Sequence, residues 1–299
     1  NAALALMHQG GDALTAIAIA YLYDALWGWR LLDIELNLWS VLLLFLLQDL
    51  CYWLFHFASH HVRWLWASHV VHHSSERLNL STAFRQSLMY PVSGMWLFWI
   101  PMILIGFPPE AVVATVLLSL GFQFFVHTQV VGKLGWLEWV FNTPSHHRVH
   151  HASNPKYIDR NFAGVLIIWD RLFGTFVEED PAEPCRFGIT KPIRSFNPLT
   201  LTFHEWRDML REARGLPWQQ KLGVLADKLQ AQRTAFIGQT TDPRAEVRQL
   251  VAGEKFDRAR ALSLLDEKTR VVQVSSPEVI NALADFYDSL SPTQQAEVR

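Results

Sequence analysis

Between Asp49 and His73 the chain reads DLCYWLFHFASHHVRWLWASHVVHH, with six histidines in the last eighteen residues. His56 and His60 stand four apart, which on a helix puts them one turn apart on the same face. His69, His72 and His73 follow the i, i+3, i+4 pattern, so three imidazoles share a second face. The segment PSHHRVHH repeats that geometry with His147, His150 and His151. Imidazole nitrogen suits Fe, Zn, Cu and Ni, and three helical faces of histidine aimed inward could hold two metal ions. Ordinary core or surface histidines account for one or two of these residues. Eleven of the thirteen histidines, however, fall between 56 and 151 in repeated ligand spacing. The pattern points to a metal centre.

The surroundings of these motifs are apolar. Half of the 299 residues are hydrophobic, 13 are Trp, 19 are Phe, and 18% are charged. That average joins two unlike parts. Residues 1–175 are aromatic and apolar, whereas residues 205–299 are charged, with no uncharged run long enough to span a bilayer. A net charge of −2 gives no case for nucleic-acid binding. Cys51 and Cys185 sit in dissimilar contexts, so no disulfide framework is indicated. The N-terminus shows no basic region followed by a small-residue cleavage site, so no signal peptide is expected, and an earlier membrane segment could precede it.

Residues 13–29 are apolar apart from Asp24 and are expected to span or lie in a membrane. Residues 36–58 are apolar except Asp49, long enough to cross a hydrocarbon core of ~30 Å. Residues 86–109 carry no charge, and 111–132 none except that of His127. Only GFPPE separates these two runs, so they read as a transmembrane hairpin whose first helix is bent at Pro91 and Pro101. This threading brings His127 back beside His56 and His60 and leaves His147, His150 and His151 on the same side. The loop 59–87 carries Arg63, Arg77 and Arg85 while GFPPE carries no positive charge, which places the histidines at the cytoplasmic face, in a bacterial inner membrane.

Thr143 and Pro144 predict a helix start before the last motif. The run VLIIWDRLF is too short to span and is expected to lie along the membrane surface or close the pocket. A Pro-rich stretch after Asp180 reads as an extended wrap, followed by amphipathic helices in LTFHEWRDMLREARG and PWQQKLGVLADKLQAQRTAF. Further helices with soluble patterning follow Thr240. The expected fold is an all-α integral membrane protein. Its transmembrane helices carry a cytosolic histidine-rich dimetal cap in a catalytic domain of residues 1–238, and a soluble helical tail occupies 239–299.

The order HxxxH, HxxHH, a lone His at the end of a span, then HxxHH resembles the membrane-bound fatty acid hydroxylase / sterol desaturase superfamily. SHVVHHSSERLNLSTAFRQS, FFVHTQVV, NTPSHHRVHHASNPKYIDRNFAGVLIIWDRLFGTF and GITKPIRSFNPL look like its alkylglycerol monooxygenase group and that group's bacterial relatives. The likeness covers roughly 30–235. It implies a di-iron centre facing the cytosol, tetrahydrobiopterin or another external electron donor, and a lipid substrate of the ether class. One departure falls in the first motif: the animal enzymes have HRxxHE there, and this chain has His61 in place of the Glu. In the tail, LVAGEKFDRARA and LSPTQQAEVR weakly resemble the hairpin of LTxxQ periplasmic chaperones; a generic helical appendage is the equal alternative.

Nine residues are therefore expected as metal ligands: His56, His60, His69, His72, His73, His127, His147, His150 and His151, shared four and five. His61 and His146 would point off the ligand faces, and His8 and His204 are expected in solvent. Asp49 lies two turns before His56, and a carboxylate in an apolar span is by default functional, with support of a ligand histidine its natural role. Asn154, Asp159 and Asn161 follow the last motif and could orient ligands or bound water. The resulting expectation is an O2-dependent di-iron monooxygenase acting on a lipid C–H. Alternatives are hydroxylation or desaturation of a sterol, acyl chain or aminolipid, a membrane zinc hydrolase, or a metal sensor. No haem or flavin motif is fused, which implies a separate electron-transfer partner or diffusible donor.

Overall fold

The computed structural model describes residues 1–226. Among them there is no strand; two isolated bridges pair Phe141 with Leu166 and Ala152 with Phe187. The expected tail 239–299 and its boundary lie outside the described residues. The helices run α1 (Ala2–Trp27), α2 (Leu38–His61), α3 (Arg63–His73), α4 (Tyr90–Ser93), α5 (Ile100–Ile105), α6 (Pro109–Val126), α7 (Pro144–His150), α8 (Ile168–Phe173), α9 (Pro198–Ala213) and α10 (Trp218–Ala226).

Asn37 starts α2 by accepting from Trp39 N and Ser40 N at 3.0 and 3.1 Å, while Asn37 N donates to Ser40 Oγ. This reciprocal cap satisfies donors that the first turn would otherwise orphan. The helix then runs 24 residues, about 36 Å at 1.5 Å per residue. Val62, in extended backbone, separates it from α3 by a single residue. α3 is buried on nearly every face, from Arg63 and Leu65 through His73. Arg85 holds its C-terminal end, donating from Nε to Val71 O at 3.0 Å and from Nη2 to Ser74 Oγ at 2.9 Å. On its other side α3 packs against α9. There Arg63 reaches Glu205 at 2.9 Å and also binds Glu212, and Trp64 meets Trp206 edge-on at 4.6 Å.

The hairpin expected over 86–132 differs in its first arm. Instead of one bent helix, residues 90–105 form α4, a 3₁₀ stretch (Met95–Trp99) and α5. Pro91 and Pro101 sit in first turns, where a missing N–H is harmless, and Gly94 takes φ 85°, so each ends one piece and starts the next. Among the described residues two helices are long and apolar enough to cross a membrane: α2, with mean hydropathy 1.8, and α6, with 1.6. α1 is helical over the expected apolar run, and only its shorter segment Thr15–Trp27 is apolar. At the hairpin turn Gly106 has φ 130°, and a Cβ there would meet Leu32 O at 2.1 Å. The chain leaving α1 lies that close because Leu31 N and Leu32 N donate to Leu104 O and Ile105 O.

Candidate metal centre

α2 carries His56 and His60, α3 carries His69, His72 and His73, and α7 carries His147, His150 and His151; His127 follows α6 directly. Pro144 opens α7 with Thr143 before it, as the sequence predicts. All nine side chains are buried, none more than 5% exposed. They separate into two groups whose ring nitrogens lie within 4.8 Å of one another. One is His56, His60, His69, His73 and His150; the other is His72, His127, His147 and His151. In the first, Nε2 atoms approach in pairs, His56–His69 at 3.0 Å, His69–His73 at 3.0 Å and His73–His150 at 3.1 Å. In the second, His72–His127 is 3.1 Å, His127–His147 2.9 Å and His147–His151 3.1 Å.

The opposite ring nitrogens explain why Nε2 points inward. His56, His127 and His150 donate from Nδ1 to the carbonyls of Phe162 (2.8 Å), Gln123 (2.7 Å) and Arg160 (2.9 Å). His60 Nδ1 lies 2.9 Å from Asp159 Oδ1, and His69 Nδ1 lies 2.7 Å from Tyr90 Oη. A neutral imidazole that donates from Nδ1 has only a lone pair at Nε2. Lone pairs facing each other at ~3 Å repel unless a cation sits between them. Nitrogens ~2.1 Å from one ion and at right angles lie ~3.0 Å apart, which is the spacing seen. Burial, and then the neighbouring histidines, hold His72, His73, His147, His150 and His151 well below the usual imidazole range. Burial thus favours, in these five rings, the neutral form that ligation requires. An all-nitrogen donor set of five and four fits two first-row transition metals, and the nine together exceed what one four-ligand structural zinc site needs.

Of the four supporting polar residues expected from sequence, Asp159 alone meets one of these imidazoles. Asp49 is corrected: seven residues of helix place it ~10 Å along the axis from His56, beyond side-chain reach. Its carboxylate instead accepts from Val165 N, Leu166 N and Trp169 Nε1 at 2.9, 2.9 and 3.0 Å. Asp170, which the sequence reading passed over inside VLIIWDRLF, accepts from Phe162 N and Ala163 N, both at 2.8 Å, and from Trp53 Nε1 at 3.1 Å. Two buried carboxylates thereby pin residues 162–166, and the Phe162 carbonyl in that segment orients His56. Gly164 lies between them because a Cβ would strike the Tyr52 ring at 2.7 Å. The run VLIIWDRLF thus closes over α2 through Asp170, with Leu172 and Phe173 exposed.

Asn161 ties α7 to the following chain: its Nδ2 donates to His146 O and Val177 O, and its Oδ1 accepts from Val177 N. Asn154 accepts from Arg186 N at 2.8 Å and donates to Pro184 O. Both therefore position backbone and touch no ring of the two groups. Tyr90 was also missed; an isolated Tyr before Pro91 carries no pattern that marks it. His61 stacks on Phe57 at 4.0 Å and hydrogen-bonds Phe57 O, outside both groups. His146 packs under Phe176, with Nε2 4.0 Å from Glu138, and burial pushes its pKa down to about 4. His8 and His204 are half-buried rather than solvated.

Residues 41–175 match the model of the fatty acid hydroxylase family. Among curated proteins, alkylglycerol monooxygenase of Xenopus tropicalis is 45% identical over 181 residues, 60% of this chain and 39% of that protein. The Homo sapiens enzyme of the same name is 46% identical over 166 residues, 56% of this chain and 36% of its own length. Ornithine lipid hydroxylase OlsE of Rhizobium tropici is 30% identical over 126 residues, 42% and 38% of the two chains. The chain thus spans about two fifths of the length of these curated relatives. No solved structure matches it.

Proposed function

We propose that this chain, which carries a fatty acid hydroxylase domain at residues 41–175 and is homologous to alkylglycerol monooxygenases, is a membrane-embedded di-iron monooxygenase that hydroxylates a lipid C–H with O2. The observation that carries this reading is the convergence of nine buried imidazoles, in groups of five and four, with ring nitrogens within 4.8 Å of one another. When bound, the iron pair would supply two-electron activation of O2. Every other requirement falls to the chain. His56, His60, His69, His73 and His150 would hold one ion and His72, His127, His147 and His151 the other. Asp159, Tyr90 and the Phe162, Arg160 and Gln123 backbone oxygens keep the rings turned inward.

Membrane insertion is supported by the outer faces of α2 and α6. Only 28% of each apolar window is buried inside the molecule, and Leu42, Leu43, Leu46, Leu117, Leu118 and Phe125 face outward. A soluble core helix would bury those side chains; hydrocarbon makes their exposure favourable. With the histidines at the ends of α2 and α6, the site would sit at one membrane surface, the cytoplasmic one by the charge distribution.

The relatives support ether lipid as substrate. Hydroxylation of the carbon beside the ether oxygen consumes O2, two electrons and two protons and yields water and a hemiacetal, which collapses to a fatty aldehyde and a glycerol hydroxyl. The first test is aldehyde release from an alkylglycerol by iron-loaded protein with O2 and tetrahydrobiopterin. Aldehyde that vanishes when either O2 or the pterin is withheld establishes the activity. No aldehyde from a chain holding two irons would reject the ether substrate and favour a second reading, hydroxylation of another polar lipid, which the likeness to OlsE supports. His72→Ala or His150→Ala is expected to lose metal and turnover together; full activity in either would remove the assignment.

A further inference from the structure

Nine buried imidazoles raise the question of how a charged ion reaches them. Moving an unpaired ion through an apolar medium costs tens of kcal/mol, which disfavours the outer faces of α2 and α6. The flank beside His56, His60 and His150 is closed by the fully buried Phe162 ring, whose centroid is 5.9, 5.2 and 5.9 Å from theirs. A cleft of about 50 Å³ is lined by His60, His73, His150 and His151 together with Asp159 and Thr190. A water needs about 10–15 Å³ of such space, so the cleft has room for a few waters and admits a partly hydrated ion.

Asp159 faces both ways. It is hydrogen-bonded to His60, and its side chain keeps 21% exposure, so it is the carboxylate an incoming cation meets before the imidazoles. Gly188 to Thr190, which form a wall of the same cleft, are anchored upstream. Ser153 N and Oγ donate to Arg186 O, Arg186 N donates to Asn154 Oδ1, and Ala152 bridges Phe187. Thr190 is the exposed residue at the end of that wall.

We propose that this cleft is the port through which divalent cations enter and leave the histidine groups. The inference rests on the metal reading above and assigns a role to residues outside the ligand set. It is tested on the full chain in detergent by following Co2+ uptake from its visible absorption, and Co2+ removal by EDTA. Thr190→Trp is expected to slow both by at least about tenfold, an added barrier of about 1.4 kcal/mol, with the same final number of ions bound. Thr190→Ala should exchange at the parental rate or faster. Uptake and removal at parental rates in Thr190→Trp, at full occupancy, would overturn the port.

If Thr190→Trp does not fold, Thr190→Cys is loaded first and then alkylated with a bulky maleimide. The parent is treated in parallel to account for Cys51 and Cys185. Unchanged EDTA removal after labelling overturns the proposal, and removal slowed only in the labelled variant supports it. A parent chain that binds no Co2+ would remove the metal reading itself, a different failure from unchanged rates in a loaded protein.

Discussion

Asp159 takes a left-handed backbone conformation, φ 55°, which Asp and Asn tolerate better than most residues. Asp159→Asn therefore keeps the local backbone and a hydrogen-bond acceptor for His60 while removing the charge. We expect metal affinity to fall about 10–100-fold by chelator competition, with the unfolding temperature of the apo-protein unchanged. Asp49 belongs to a different class. Asp49→Ala orphans Val165 N, Leu166 N and Trp169 Nε1, at about 1–3 kcal/mol per buried donor. Its loss should appear first as lowered thermal stability in detergent, with metal release following unfolding rather than preceding it. Spacing made the histidines legible because i, i+3 and i+4 are fixed by helix geometry. The supporting groups were not legible for the opposite reason. Three of the inward-holding acceptors are backbone carbonyls, which no residue type announces, and Tyr90 reaches His69 across 21 residues of chain. Asp170 could have been found by the logic that singled out Asp49, an acid within an apolar run.

At the scale of elements, α3 has little to hold it except its neighbours, being eleven residues long with three of the nine imidazoles in its last turns. Isolated helices of that length are marginal, so α9 carries much of the support. Trp206 is 5% exposed and packs on Trp64. Trp206→Ala should cost about 3–5 kcal/mol in denaturant unfolding and loosen metal in both groups at once, since α3 feeds both. The start of α7 and the continuity of α2 were readable from Thr143-Pro144 and from an uninterrupted apolar run. The first arm of the hairpin was not. Pro91 and Pro101 were weighed as bends, but Pro in a first turn starts a helix as readily as it kinks one, and Gly94, in a left-handed conformation, ends the first of three short pieces.

For the whole molecule, two helices with apolar outer faces predict that the chain stays with membranes through an alkaline carbonate wash and is released by detergent. Recovery in the carbonate supernatant would contradict insertion. Among the described residues only α2 and α6 pass for length, and their ends bring His56, His60 and His127 to the histidines carried by α3 and α7.

That delivery uses shared carriers. α3 gives His69 and His73 to one group and His72 to the other, and α7 gives His150 to one and His147 and His151 to the other. Whatever steadies either helix steadies part of both sets, and together the two helices carry three of the five and three of the four. We expect loading of the two positions to be cooperative, with singly occupied chains a scarce population. The same sharing bears on how such a sequence can change over time. Neither group can change by shifting α3 or α7 alone, because each of those helices also carries histidines of the other group.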